Sequence, residues 1–310
     1  MGDNQSGVPE LILVGFLLSA DMEVLLCCVF SLLYVSNMLA NGMILGLIWL
    51  DVRLHTPMYF FLSHLAIIDI SYASSNLPKL LENLVKHKKM ISYVSCAAQL
   101  FFYLGFACTE CLILVVMSYD RYVAICHPLH YMVIMTWRLC TVLAITSWAS
   151  GFSVALGDLI LFLRVPYCGF PEVNHIFCEI IAVLKVACGD TWINKFFILS
   201  CGAFILVGPL SLMLVSYMRI VLTILKIKSK EGRRKVFSTC SSHLCVVGFY
   251  FGIAMIIYMV PDDGHWDEQK KVLTLFYIFF NPLLNPLIYS LRNAQMKAAF
   301  NRAVQKQRTS

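Results

Sequence analysis

Seven long apolar stretches divide the 310-residue chain, at roughly 24–50, 57–78, 96–119, 139–163, 196–218, 236–260 and 272–291. A hydrocarbon core of ~30 Å takes ~20 helical residues to cross, and each stretch reaches that length. In lipid a backbone must satisfy its own polar groups, which leaves helices or a closed barrel. The strict alternation of barrel strands is absent. Hydrophobic residues make up 59% of the chain and charged ones 14%, where soluble domains carry about a quarter charged residues. The sequence therefore predicts an all-α membrane protein, a bundle of seven transmembrane helices. Four stretches contain no Asp, Glu, Lys or Arg, and the other three hold one acid each: Asp69, Glu110 and Asp158.

Charge gives the orientation. With the amino terminus outside, 15 Lys and Arg fall on the cytoplasmic side against 9 outside, while acids divide 3 inside and 12 outside. The positive-inside rule favours this topology, with an extracellular segment 1–23, a bundle 24–291 and a cytoplasmic tail 292–310. The first twenty residues lack a basic start and a cleavable apolar run, so no signal peptide is expected and the first span inserts itself. Asn4-Gln5-Ser6 is a glycosylation sequon in the exposed amino-terminal segment. The net charge of +6 is carried largely by loops at the membrane surface, where anionic headgroups rather than nucleic acid are the expected partner.

Several polar residues stand out against this background. Asp120–Arg121 closes the third stretch within Met117–Tyr131, MSYDRYVAICHPLHY, where a charge pair can be solvated. Glu110 precedes Arg121 by about three helical turns, so the two face one direction. Asp69 and Glu110 in one bundle interior either share a proton or hold a cation. Asn41 needs a partner, with Asp69 and the Asn285 region as candidates. Asp158 near the outer end of the fourth stretch reads as wetted or paired with Arg164. Cys96, Cys168, Cys178 and Cys188 are the extracellular cysteines, and four permit three pairings. His175, Cys178 and Glu179 could be read as metal ligands, unless Cys178 is consumed by a disulfide. Asn285-Pro286-Leu287-Ile288-Tyr289 predicts a kinked helix with a freed carbonyl, and residues 293–304 an amphipathic surface helix.

Five strings in order carry a resemblance: Leu54–Leu62 (LHTPMYFFL), Met117–Tyr131, Arg234–Leu244 (RKVFSTCSSHL), Tyr250-Phe251-Gly252 and Pro282–Asn293 (PLLNPLIYSLRN). They resemble the odorant-receptor branch of the rhodopsin-like (class A) G-protein-coupled receptors, family 2, over about Val24 to Asn293. Two positions depart from the family pattern. His64 stands where many members carry Asn, and Phe251 stands where the family reads Tyr. The resemblance implies a plasma-membrane receptor that binds a small-molecule odorant and activates a heterotrimeric stimulatory, olfactory-type G protein to raise cyclic AMP. It also selects the disulfides Cys96–Cys178 and Cys168–Cys188, a sodium site at Asp69 and Glu110 with no other cofactor, and a switch of Asp120, Arg121, Tyr122, Tyr217, His243, Asn285, Pro286 and Tyr289.

The outer stripe of the third stretch gives the ligand wall, continued on its neighbours. Expected contacts are Tyr103, Leu104, Ala107, Cys108, Cys111, Cys201, Ile205, Phe251, Ala254, Tyr258 and Thr274. Tyr103 lies where amine receptors of the wider family place an aspartate, so the ligand is expected to be neutral and mostly apolar. With the pocket empty, Arg121 is expected to be held by Asp120. Enzymes, transporters and channels fit poorly. Ser242 and His243 are adjacent and point apart on a helix, internal repeats are lacking, and no polar ring suits a pore. The strongest rival from another class is a proton or sodium exchanger built on Asp69 and Glu110.

Overall fold

The computed structural model describes residues 10–16, 18–86, 89–169, 171–226, 229–260, 266–291 and 293–309. Seven long helices run through it: α1 (Ala20–Leu50), α2 (Pro57–Val85), α3 (Tyr93–Cys126), α4 (Trp137–Leu163), α5 (Trp192–Leu225), α6 (Lys230–Met259) and α7 (Asp267–Leu291). An eighth, α8 (Ala294–Thr309), continues beyond the expected end at 304. Local chemistry sets several of the starts. Pro57 occupies the first turn of α2, where a missing N–H costs nothing. The Ser92 hydroxyl accepts from Ser95 N–H at α3, and the Thr136 hydroxyl from Leu139 N–H at α4.

The helices differ in what they face. In its most apolar stretch α3 is 61% buried, whereas that of α1 is 11% buried. Accordingly α3 is central and packs on α2, α4, α5 and α6. Val24, Leu32, Leu39 and Trp49 of α1 and Phe204, Leu212 and Met218 of α5 lie exposed. Apolar faces of this extent suit lipid and would be a liability in water. Among the described residues, α1, α3, α4, α5 and most of α7 are long and apolar enough to cross a membrane. The apolar part of α6 is the shorter run His243–Met259. In α2, buried Asp69, Asn76 and Asn83 dilute the apolar pattern.

Two local irregularities shape the interior. Over Ala203–Val207 α5 widens into a π turn, and Gly208 N–H reaches back to the Ala203 carbonyl. Pro209 follows, lacking an N–H and crowding the turn before it, and one extra residue relieves both problems. The wider turn brings the consecutive residues Ile205 and Leu206 inward together, both buried. At Gly151 of α4, an added Cβ would lie 2.3 Å from Thr109 Oγ1 and 2.7 Å from Thr109 N. The backbones of α3 and α4 approach here as only a residue without a side chain permits.

The extracellular end carries a small sheet that the apolar pattern did not predict. Strand β1 (Glu10–Leu13) runs antiparallel to β2 (Met90–Ser92) and parallel to β3 (Glu172–Val173), in the order β2-β1-β3. Leu11, Leu13, Ile91 and Val173 bury beneath it with Cys96, Cys178 and Ile180.

Gly151→Val should force α3 and α4 apart. Overpacking of this kind costs about 1–3 kcal/mol, so the thermal unfolding midpoint in detergent should fall, with Gly151→Ala intermediate. An unchanged midpoint in the Val variant would contradict the close approach.

Candidate functional site

Beneath the extracellular cap, α3, α4, α5, α6 and α7 enclose a cavity with about 560 Å³ of atom-free space. Only about 60 Å³ of that admits the centre of a water-sized sphere, where a single water needs ~10–15 Å³ by this measure. The space suits a small molecule. Its walls include Leu104, Ala107, Cys108 and Cys111 of α3, Cys201, Ile205 and Leu206 of α5, and Ala254 and Tyr258 of α6.

Eight of the eleven expected ligand contacts line this cavity; Tyr103, Phe251 and Thr274 do not. Tyr103 stands one layer behind, where its hydroxyl accepts from Tyr258 at 3.0 Å and its ring packs beside Tyr72 and Phe177. Phe251 is buried edge-on against Tyr250, and it is Tyr250 that reaches the wall. Consecutive helical residues project about 100° apart, so one of the two must turn away. The Tyr250 hydroxyl donates to the Ala107 carbonyl at 2.5 Å, bridging α6 to α3. Thr274 donates to the Lys270 carbonyl and faces a second, more polar cavity that includes Glu172, His175, Glu179 and Lys185.

Sequence reading missed Val154, Ile180, Ile198 and Tyr277, and placed Asp158 elsewhere. Asp158 is buried and lines the cavity instead of being wetted or paired with Arg164. Val154 and Asp158 stand four residues apart on one face of α4, a spacing that was available as a signal. Ile180 comes from a loop, which periodicity does not reach.

Below the cavity lies a polar node. The Asn285 amide donates to Asp69 at 3.2 and 3.0 Å and to Glu110 Oε1 at 3.2 Å. Asn281, not singled out from sequence, donates to the same Glu110 oxygen at 2.8 Å. Pro286 has no N–H, which frees the Pro282 carbonyl four residues earlier, and Asn41 donates to it at 3.0 Å. Asn37 links Asn41 to the Asp69 main chain. Buried Glu110 Oε2, Asn281 Oδ1 and Asn285 Oδ1 have no hydrogen-bond partner among the described residues. Oxygen atoms of this kind suit a hard monovalent or divalent cation.

At the inner end, Asp120 accepts from the Tyr131 hydroxyl at 2.7 Å. No ion pair joins it to Arg121 among the described residues, contrary to expectation. Side chains at successive helical positions diverge, so a partner from the following loop reaches the acid first. Arg121 is buried, its Nε carries no hydrogen bond, and its charge reaches Tyr217, Cys240 and His243. Tyr217 and His243 Nδ1 are hydrogen-bonded at 2.6 Å across α5 and α6. Tyr122 turns instead to His127, at 3.2 Å. The side chain of Tyr289 falls outside the described residues, as does Asn4. His64, the other departure noted above, accepts from Trp148 Nε1 at 3.2 Å and ties α2 to α4.

The loop after α4 folds down as a lid, with both expected disulfides, Cys96–Cys178 and Cys168–Cys188. With Cys178 bonded, His175, Cys178 and Glu179 cannot form a metal site. Glu179 instead caps the short helix Ile180–Lys185 through Ala182 N–H, and Ile180 enters the cavity. Lys271 draws the lid to the amino terminus and α7, donating to Asn174 Oδ1 and Glu268 at 2.6 Å and to the Gly15 carbonyl at 3.2 Å.

A dry cavity under a tied lid, a buried polar node and an arginine at the inner mouth of seven helices define a receptor of the G-protein-coupled class. The sequence model of the olfactory receptor family matches residues 30–307. Human olfactory receptor 2A5 is 63% identical over 310 residues, covering both chains completely. Human olfactory receptor 2A2 is 61% identical over all of this chain and 97% of its own, and mouse olfactory receptor 2A7 is 56% identical over 99% of each. The chain belongs to the olfactory receptor family. It is a multi-pass plasma-membrane odorant receptor coupled to G protein, and not an enzyme.

His175 gives the lid a pH dependence. Burial pushes its imidazole down to about 3, helped by the nearby Lys271 and Lys185 charges. The unfolded chain therefore binds a proton below ~6.5 that the folded lid refuses until about pH 3. His175 favours folding fully above that upper value, and its contribution is lost as pH falls through the window. The unfolding midpoint should drop between pH 7 and 4.5, and less steeply in His175→Gln. Equal slopes would contradict the buried neutral ring.

Proposed function

We propose that a small odorant settles among Leu104, Ala107, Cys108, Cys111, Cys201, Ile205, Ala254 and Tyr258 and drives a stimulatory, olfactory-type G protein to raise cyclic AMP. The observation that carries this reading is the apolar cavity, continuous along α3 with the polar node and Arg121. The ligand shifts the bundle only through a higher affinity for the open arrangement. In that arrangement the inner end of α6 swings outward, the Tyr217–His243 contact parts, and Arg121 turns to Tyr217 and Tyr289 at a cavity that admits a G-protein helix. The lid and amino terminus face outside, and α8 lies along the cytoplasmic surface. There Arg302 pairs with Asp51 and holds its carboxyl below the ordinary range.

Odorant panels on cells expressing the chain, read by cyclic AMP, test this directly. Arg121→Ala should abolish the response at unchanged surface expression and ligand binding. Ala107→Phe, which fills the cavity, should raise the half-maximal odorant concentration at least tenfold. Full signalling by the arginine variant would sink the scheme.

Asp69 and Glu110 are further proposed to hold sodium, supported by the unpartnered oxygens of Glu110, Asn281 and Asn285. Sodium against choline should then raise the unfolding midpoint of the wild type but not of Asp69→Asn. A sodium flux through reconstituted vesicles would instead favour an exchanger.

A further inference from the structure

Asp158 is the one formally charged side chain in the cavity wall. It is 3% exposed, and no hydrogen bond or ion pair reaches it among the described residues. A carboxyl removed from water without a partner is costly and is rarely kept for packing alone. Its setting sharpens the question. Cys108 and Cys201 are the titratable groups that feel its charge, and thiols are weak donors. The strong donors of the same wall are already engaged, Tyr250 to the Ala107 carbonyl and Tyr258 to Tyr103. What the cavity offers a newcomer is therefore acceptor capacity, concentrated at Asp158 and surrounded by apolar groups.

Resting on the odorant-receptor reading above, we infer that Asp158 selects the ligand class: a small apolar molecule with one strong hydrogen-bond donor, a hydroxyl or an ammonium, which the carboxyl accepts. The apolar body lies against Leu104, Ala107, Ile205 and Ala254. Aldehydes, ketones and ethers of equal length fill the same volume but leave the acceptor unmatched, and they bind less tightly.

The test uses the full-length receptor purified into lipid nanodiscs, with ligand affinity read from the shift in unfolding midpoint, and cells read by cyclic AMP. The probes are short straight-chain alcohols and amines, each paired with the aldehyde and methyl ether of equal length. Asp158→Leu should weaken the donor-bearing members about 10- to 100-fold, the range of a hydrogen bond to a charged group. The aldehydes and ethers should be unchanged or tighter. Asp158→Asn keeps an acceptor and should spare the alcohols within a few-fold while losing the amines. Without ligand, the Leu variant should unfold at or above the wild-type temperature, since it removes an unpaired buried carboxyl.

An equal change for all four compound classes, or none, overturns the assignment, as does a ligand-free Leu variant that unfolds well below the wild type. Wild-type receptor that binds and signals best with aldehydes or ethers overturns it too, while leaving the receptor reading intact. Donor-bearing ligands that bind through Asp158 without raising cyclic AMP would leave the assignment standing and overturn the coupling. No binding by any member overturns both the pocket and the assignment.

Discussion

One amide joins three helices. The Asn285 side chain on α7 spans Asp69 of α2 and Glu110 of α3, in a layer where neither acid is exposed to solvent. Apolar packing alone cannot fix the register of helices in a bilayer, because lipid tails are as apolar as the side chains they replace. Hydrogen bonds between helices can, even at ~0.6–2 kcal/mol each, since the alternative is an unmatched polar group. Removing Asn285 would leave two carboxylates facing each other with fewer donors, and like charges at that range oppose ionisation. The node also consumes the defect that Pro286 creates. Asn41 meets the carbonyl that the proline frees, so the kink in α7 is anchored to α1.

The same logic is reversed where α3 meets α4. No polar bridge is needed at Gly151, because the missing side chain lets the backbones touch and dispersion supplies the contact. At the outer surface the constraint is covalent: Cys96–Cys178 pins the lid to the start of α3, and Gln99 accepts from the Cys178 N–H one turn further in. Lys271 completes the closure with a nearly buried ammonium whose protons go to three acceptors from separate segments. A charge so placed is tolerable because each donor is matched.

Sequence legibility followed periodicity and motif. The seven helices, both disulfides and most of the α3 wall could be read because helical spacing and exact strings report on a residue's own element. Three kinds of feature escaped. The β1 strand pairs with segments about 80 and 160 residues away, and nothing local in Glu-Leu-Ile-Leu names those partners. Tyr103 and Phe251 were placed on the right helices but on the wrong side of the wall, since a heptad-like stripe is wider than one cavity face. Asp158 was misjudged because its distance along α4 from the outer end suggested water, whereas α3 and α5 enclose it. The Asp120–Arg121 adjacency likewise invited a pairing that helix geometry disfavours and Tyr131 supplies instead.

Communication from the cavity to the inner mouth has a short physical route. Ala107 and Cys111 of α3 touch the cavity, and Glu110 lies between them in sequence and in the polar node. Tyr250 lines the same cavity and holds the Ala107 carbonyl, so a ligand that displaces its ring acts on the α6–α3 bridge directly. From Tyr250, α6 runs two turns inward to His243, whose bond to Tyr217 closes α6 against α5 beside Arg121. A rigid helix pivoting between those two hydrogen bonds has discrete arrangements rather than a continuum, because a packed interior resists partial slippage. The protein thus needs no large motion at the ligand. A shift of an ångström at one tyrosine, levered along α6, is enough to unseat the other.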